Sequence, residues 1–140
     1  MKEYSATTTI HASPEVIWSI LTDASAYPEW DPSCDRIEGT IAAGSSLKAF
    51  TKLSPGRAFK VKVTRFEPPR RMTWSGGMPL GLFKGERTFV LDEGEGEVRF
   101  TVREVFSGPM MVLIGGTIPD MSGPFQQFVD GLKARAEARA

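Results

Sequence analysis

The chain has 140 residues, enough for one domain that buries roughly 70% of its unfolded surface without disulfide or metal support. Its 17 basic and 17 acidic residues cancel, and no basic patch or polybasic run points to nucleic acid or an anionic membrane surface. Cys34 is the only cysteine, so a disulfide framework and a thiolate metal cluster are excluded; the opening MKEYSATTTI reads as neither signal peptide nor membrane span, and the default expectation is a cytoplasmic protein.

Lys2 to His11 alternates, with Tyr4, Ala6, Thr8 and Ile10 on one face, and predicts a first strand. Ser13-Pro14-Glu15 then opens a helix. Serine at the N-cap accepts a bond from a first-turn amide, and proline at the first helical position gives up an N–H that has no partner there. Val16, Ile17, Ile20 and Leu21 form its apolar stripe. Trp18 falls off the stripe, so it widens the buried face or covers a neighbouring element. Asp23 to Ser25 breaks the helix. Ala26 to Pro32 is a short aromatic turn bounded by two prolines, which must lie against something larger.

Strands follow at Asp35 to Glu38, Leu47 to Leu53, Arg57 to Phe66 and Arg71 to Ser75, separated by glycine and proline turns. Phe59, Val61 and Val63 share one face of the third of these, and Met72 and Trp74 share a face of the fourth. Phe83 to Asp92 and Glu97 to Phe106 form a hairpin. A two-residue Gly94-Glu95 turn sets Phe89 opposite Phe100 and Leu91 opposite Val98; a loop two residues longer sets Arg87 opposite Glu104. In both registers Arg87 and Glu104 share the face carrying those apolar residues. Finally Ile114, Ile118, Met121, Phe125, Phe128, Leu132 and Ala136 step at helical spacing, interrupted early by Gly115-Gly116 and Pro119, which predicts a regular helix from about Pro119 to Ala138. The pattern is α+β: a single domain, residues 1–140, with an antiparallel sheet and helices packed on one face.

Several residues have chemistry to weigh. His11 is the only histidine and reads as a surface or cap residue. Cys34 has no activating partner. Glu29, Asp31 and Asp35 match no metal loop and read as solvated carboxylates, so neither metal nor cofactor is expected. Arg87 and Glu104 are harder to set aside, because charges on an apolar face are costly unless paired. An ion pair at the open rim of the sheet, a buried structural pair and a polar anchor for a ligand's carbonyl or carboxylate all remain open. The apolar segments Gly77 to Leu82 and Met110 to Leu113 are candidates for a pocket mouth, a lid, an association surface, or a pair packed together at the end of the sheet.

Ala12-Ser13-Pro14-Glu15-Val16-Ile17-Trp18, Tyr27-Pro28-Glu29-Trp30-Asp31-Pro32, Phe66-Glu67-Pro68-Pro69 before Thr73-Trp74, the Arg103-Glu104 to Phe106-Ser107-Gly108 strand exit and the Phe125 to Ala136 helix together resemble the START-like helix-grip superfamily (SRPBCC), of polyketide cyclase/dehydrase and lipid-transport type. The resemblance covers essentially the whole chain. It implies a curved seven-stranded antiparallel sheet gripping the long C-terminal helix, two short helices after the first strand, and a ligand cavity between sheet and helix. The large side chains available to line that cavity are Trp30, Phe59, Met72, Trp74, Phe89, Phe100, Met121, Phe125 and Phe128, with Arg87 and Glu104 as polar groups. The expected function is binding of a small hydrophobic molecule (lipid, isoprenoid or polyketide-like) as carrier or sensor, by a monomer or homodimer without stable membrane insertion. A cyclase/dehydrase-type enzyme and a protein-interaction module are the alternatives. One histidine and no paired catalytic carboxylates are thin material for acid–base catalysis.

Overall fold

A computed structural model describes residues 1–140. Strand β1 (Lys2–Ile10) leads into helix α1 (Pro14–Leu21), a 3₁₀ turn at Ala24–Ala26 and helix α2 (Tyr27–Trp30). Strands β2 (Cys34–Glu38), β3 (Ser46–Thr51), β4 (Ala58–Glu67), β5 (Arg71–Gly77), β6 (Lys84–Gly94) and β7 (Glu97–Ser107) follow, then α3 (Met111–Ile114) and the long α4 (Ser122–Arg139). The seven strands form one antiparallel sheet in the order β1-β7-β6-β5-β4-β3-β2, curved around α4. No helix is long and apolar enough to cross a membrane.

The local signals act as the sequence requires. Ser13 Oγ accepts the Val16 amide at 3.2 Å and Pro14 occupies the first turn of α1. Ile17, Ile20 and Leu21 are buried, and Trp18 widens that face by packing against Phe66 with ring centres 5.5 Å apart. Phe66 points inward because a bulge between Val63 and Arg65 shifts the alternation of β4 by one residue.

Two expectations change. The β6–β7 turn is a two-residue turn, but at Glu95-Gly96 rather than Gly94-Glu95, and Gly96 takes a φ of +68° that favours glycine. Sliding the turn by one position, rather than lengthening it, sets Arg87 opposite Glu104, Phe89 opposite Val102 and Leu91 opposite Phe100. The C-terminal helix also begins later than Pro119. The Asp120 carboxylate accepts both the amide and the hydroxyl of Ser122, fixing a turn from which α4 starts. Ile114 and Ile118 therefore sit in a short helix and a loop, half-buried, and the continuous buried stripe is Phe125, Phe128, Leu132 and Ala136, with Val129 beside it.

At its far end α4 is tied to β1. Glu137 accepts the His11 amide at 2.9 Å and Lys133 at 2.8 Å, and these bonds hold its carboxyl down at about 2. His11 is thus an exposed partner of this knot, its ring 3.3 Å from the same carboxylate. In the middle, α4 meets α2 backbone to backbone. A β-carbon on Gly131 would lie 1.8 Å from the Trp30 carbonyl oxygen, so only glycine lets α2 come this close.

A Gly131→Ala substitution tests that contact. Alanine gains about 1 kcal/mol of helix propensity, whereas overpacking here takes away ~2–3 kcal/mol. The variant should melt at a lower temperature with altered Trp30 fluorescence; a higher melting temperature would show that α2 is not seated on Gly131.

Candidate functional site

The concave face of the sheet is built in rows, because every second residue of each strand points at α4. One row runs Val63, Trp74, Arg87, Glu104, Tyr4 across β4, β5, β6, β7 and β1. The next, Phe66, Met72, Phe89, Val102, Ala6, is wholly apolar. Helix α4 follows this layering. Phe125 lies over the mixed row, with the Arg87 guanidinium 4.9 Å from its ring centre and Tyr4 at 6.4 Å. One turn on, Phe128 meets Phe89 at 5.8 Å and Phe100 at 6.1 Å.

Between the mixed row, the N-terminal part of α4 and the α2–β2 corner lies a cavity of about 50 Å³. Trp74, Arg87 and Val102 form its sheet wall together with Ile37, Ala49, Phe50 and Thr51 of β2 and β3, and Met121, Phe125 and Phe128 form its helix wall. Tyr27, Asp31, Ser33 and Cys34 close the corner, and partly exposed Leu53 and Pro124 also line it. At roughly 10–15 Å³ per water it holds a few solvent molecules, well short of the ~300 Å³ or more of a drug-sized pocket.

Of the residues singled out in the sequence, Trp74, Arg87, Met121, Phe125 and Phe128 lie on this wall. Glu104 stands behind Arg87, accepting its Nε at 2.7 Å. Trp30 packs 4.9 Å from Phe128 and 4.7 Å from Tyr27, outside the wall. Met72, Phe89 and Phe100 are fully buried in the neighbouring core layers. Phe59 is half-buried beneath the Arg57 guanidinium, 5.0 Å from it, and stands apart from both core and cavity.

The Arg87–Glu104 pair is partly covered, its side chains 24% and 13% exposed. Burial works against the Arg87 charge, and Glu104 more than offsets it, so the guanidinium stays above its ordinary range. Only Nε is bonded; the terminal Nη groups have no protein acceptor. The Trp74 indole N–H, on the neighbouring strand directly opposite Arg87, is buried and also lacks an acceptor. Buried donors are normally satisfied, and the Trp74 N–H is not; the Arg87 Nη groups are not among the buried unpaired atoms, so solvent or a ligand reaches them.

Asp31, expected among solvated carboxylates, is instead 5% exposed and faces the cavity. It follows directly on Trp30, where α2 meets Gly131 of α4, and its carboxylate is held by the turn to Ser33. Its Oδ1 accepts the Ser33 amide and hydroxyl at 3.1 and 3.0 Å. Burial pushes its carboxyl above the ordinary value, against those bonds and the Arg87 charge. Glu29 is exposed and paired with Arg135, and Asp35 is exposed, so the three carboxylates do not converge and no group of residues is arranged for a metal. Burial, then Asp31 and Asp35, push the Cys34 thiol up to about 12, and it stays protonated at neutral pH. Tyr27 spends its hydroxyl on the Leu21 carbonyl at 2.5 Å.

A raised carboxyl pKa means the folded state holds its proton more tightly than the unfolded chain, so stability falls as pH rises from about 4 through the folded value. Asp31→Asn keeps the acceptor for Ser33 and removes the charge. Its melting temperature should exceed the wild type's at pH 7, the gap closing below about pH 4. A variant less stable than wild type at pH 7 would contradict the burial of an unpaired carboxylate.

A profile of the family described as polyketide cyclase/dehydrase and lipid transport matches residues 1–137. Among solved structures, a START superfamily protein from Mycobacterium smegmatis aligns at a TM-score of 0.70 and 21% identity, covering 99% of each chain. The di-domain ARO/CYC StfQ of the steffimycin biosynthetic pathway gives 0.72 and 12%, over 98% of this chain and 51% of that one. The Aha1 dimer from Colwellia psychrerythraea gives 0.72 and 23%, over 98% and 97%. At these identities the structural likenesses establish the fold alone. No curated protein matches the sequence. The family profile spans nearly the whole chain, and the chain belongs to the family described as polyketide cyclase/dehydrase and lipid transport.

Proposed function

We propose that this protein binds a small hydrophobic molecule bearing a hydrogen-bond acceptor at one end, between the sheet and α4, as a carrier or sensor. The observation that carries the reading is the pair of unused donors, the Arg87 Nη groups and the Trp74 indole N–H, beside an apolar wall of Met121, Phe125 and Phe128. A ligand oxygen that accepts from them gives the buried indole N–H a partner and takes the place of solvent at Arg87, and the aromatic wall receives the apolar body. The small cavity implies that the ligand widens it. Met121 and Leu53, half-buried and exposed, are the side chains on its wall freest to move aside.

A cyclase or dehydrase activity is the second reading. Asp31 favours it, as a carboxylate on the same cavity wall as a guanidinium, and the family's description includes such enzymes. Without a histidine or a second free carboxylate in the cavity it ranks below binding. Assembly as a homodimer finds support in exposed Leu80, Val112 and Leu113, on two segments joined where the Met110 amide bonds the Leu82 carbonyl at 2.9 Å. The structurally similar Aha1 protein is a dimer. The lone, unpaired Cys34 fits a cytoplasmic setting.

Calorimetric titration with 2-acetylnaphthalene, a neutral ketone on an apolar ring, tests the binding reading. Wild-type protein should bind it saturably, one per chain. The double variant Arg87→Met/Glu104→Gln removes the donor without stranding a carboxylate, and should bind about tenfold or more weakly, the lower range for a hydrogen bond to a charged group. Equal affinity in the variant, or no saturable binding to wild type, would refute it.

A further inference from the structure

The same cavity holds an acceptor that nothing in the protein answers. Ser33 directs both its amide and its hydroxyl to Oδ1 of Asp31, and Oδ2 receives no hydrogen bond. No cation lies within ion-pair distance of this carboxylate: Arg87 is committed to Glu104 at 2.7 Å, and Asp31 belongs to none of the protein's salt bridges. Arg87 and exposed Lys52 act on it only at longer range. The remaining polar groups of the corner give no relief, since the Tyr27 hydroxyl serves Leu21 and the Cys34 thiol is a weak donor.

The charges decide what fits. Arg87 and Glu104 cancel, so an ionised Asp31 leaves the site net negative. A ligand carboxylate placed against Arg87 would add a second negative charge in a confined, low-dielectric space, where like charges repel strongly. A neutral carbonyl accepts from Arg87 and Trp74 without that repulsion. A donor on the same head gives Oδ2 the partner it lacks, so a head that carries one binds more tightly than a simple ketone, which still accepts from Arg87 and Trp74.

We infer that the ligand's polar end is neutral and carries an N–H or O–H donor beside its carbonyl, as in an amide or a hydroxy-ketone, and that Asp31 is the residue that selects it over carboxylic acids. The inference rests on the binding reading above and narrows it. Free fatty acids and other carboxylates are then poor ligands, despite the arginine on the wall.

2-Naphthamide and 2-naphthoate share one ring and differ only in the head, and calorimetry at pH 8 compares them on the folded protein. Wild type should prefer the amide at least tenfold. Asp31→Asn keeps the Ser33 bonds, removes the charge and turns an N–H₂ donor toward the cavity, so the preference should shrink to threefold or less, or reverse. A change in this ratio is not expected from a merely structural role, which would weaken both compounds alike. Naphthoate binding wild type as tightly as the amide, or a tenfold preference persisting in Asp31→Asn, would overturn the inference. If 2-acetylnaphthalene still binds in that case, the binding reading stands; if wild type binds none of the three compounds, both fall together.

Discussion

The site depends on one register. When the β6–β7 hairpin turns at Glu95-Gly96, Arg87 and Glu104 meet across the ladder on the face that α4 covers. Moving that turn back by one position, to Gly94-Glu95, would instead bring Phe89 opposite Phe100 and leave the two charges diagonal rather than paired. Breaking a fully buried ion pair costs ~3–5 kcal/mol, and partial exposure of Arg87 reduces that to roughly 2–3 kcal/mol. The pair is therefore a constraint as much as a contact: it holds strand alignment and, through stacking on Phe125, the approach of the helix.

On one side of this row the protein is an ordinary apolar core, whereas on the other the row Gly76, Gly85, Phe106, Lys2 is only half-buried. Phe128, Phe89, Phe100 and Met72 are buried together between sheet and helix. The mixed row interrupts that packing. A planar guanidinium and an indole pack less completely than aliphatic chains, and the α2–β2 corner adds a carboxylate held by its own serine turn. A small cavity with donors on one wall and an acceptor on another is what remains. The cavity is about 50 Å³, so anything larger than a few waters requires the lining side chains to move.

Much of the fold was legible because it is written locally. The serine cap and proline of α1, the alternation of β4 and the stripe from Phe125 to Ala136 each declare an element without reference to the rest. The family resemblance added the way these elements grip one another. The site was legible only in part. Trp74, Arg87, Met121, Phe125 and Phe128 could be placed from facing alone, whereas Phe59 shares the facing of Val63 yet lies too far along its strand to reach the helix. Asp31 was misread because its burial is a tertiary effect. Gly131 lets α2 approach α4, and Asp31, the residue that follows α2, is buried beside that contact. The local turn to Ser33 fixes the carboxylate's orientation but does not reveal its burial. Cavity volume was equally hidden, since it depends on how rings tilt and not on which rings are present.

The Trp74 indole N–H offers the most direct test of the account, as a buried donor with no partner of its own on the cavity wall. The measurement is a ¹H–¹⁵N spectrum recorded while 2-acetylnaphthalene is titrated in. The account predicts a saturable downfield shift of the Trp74 indole resonance together with Arg87 Nε, while the Trp18 indole, packed on Phe66 away from the cavity, stays in place. Shifts confined to Leu80, Val112 and Leu113, with Trp74 unmoved, would place the ligand on the outer surface and contradict an interior site.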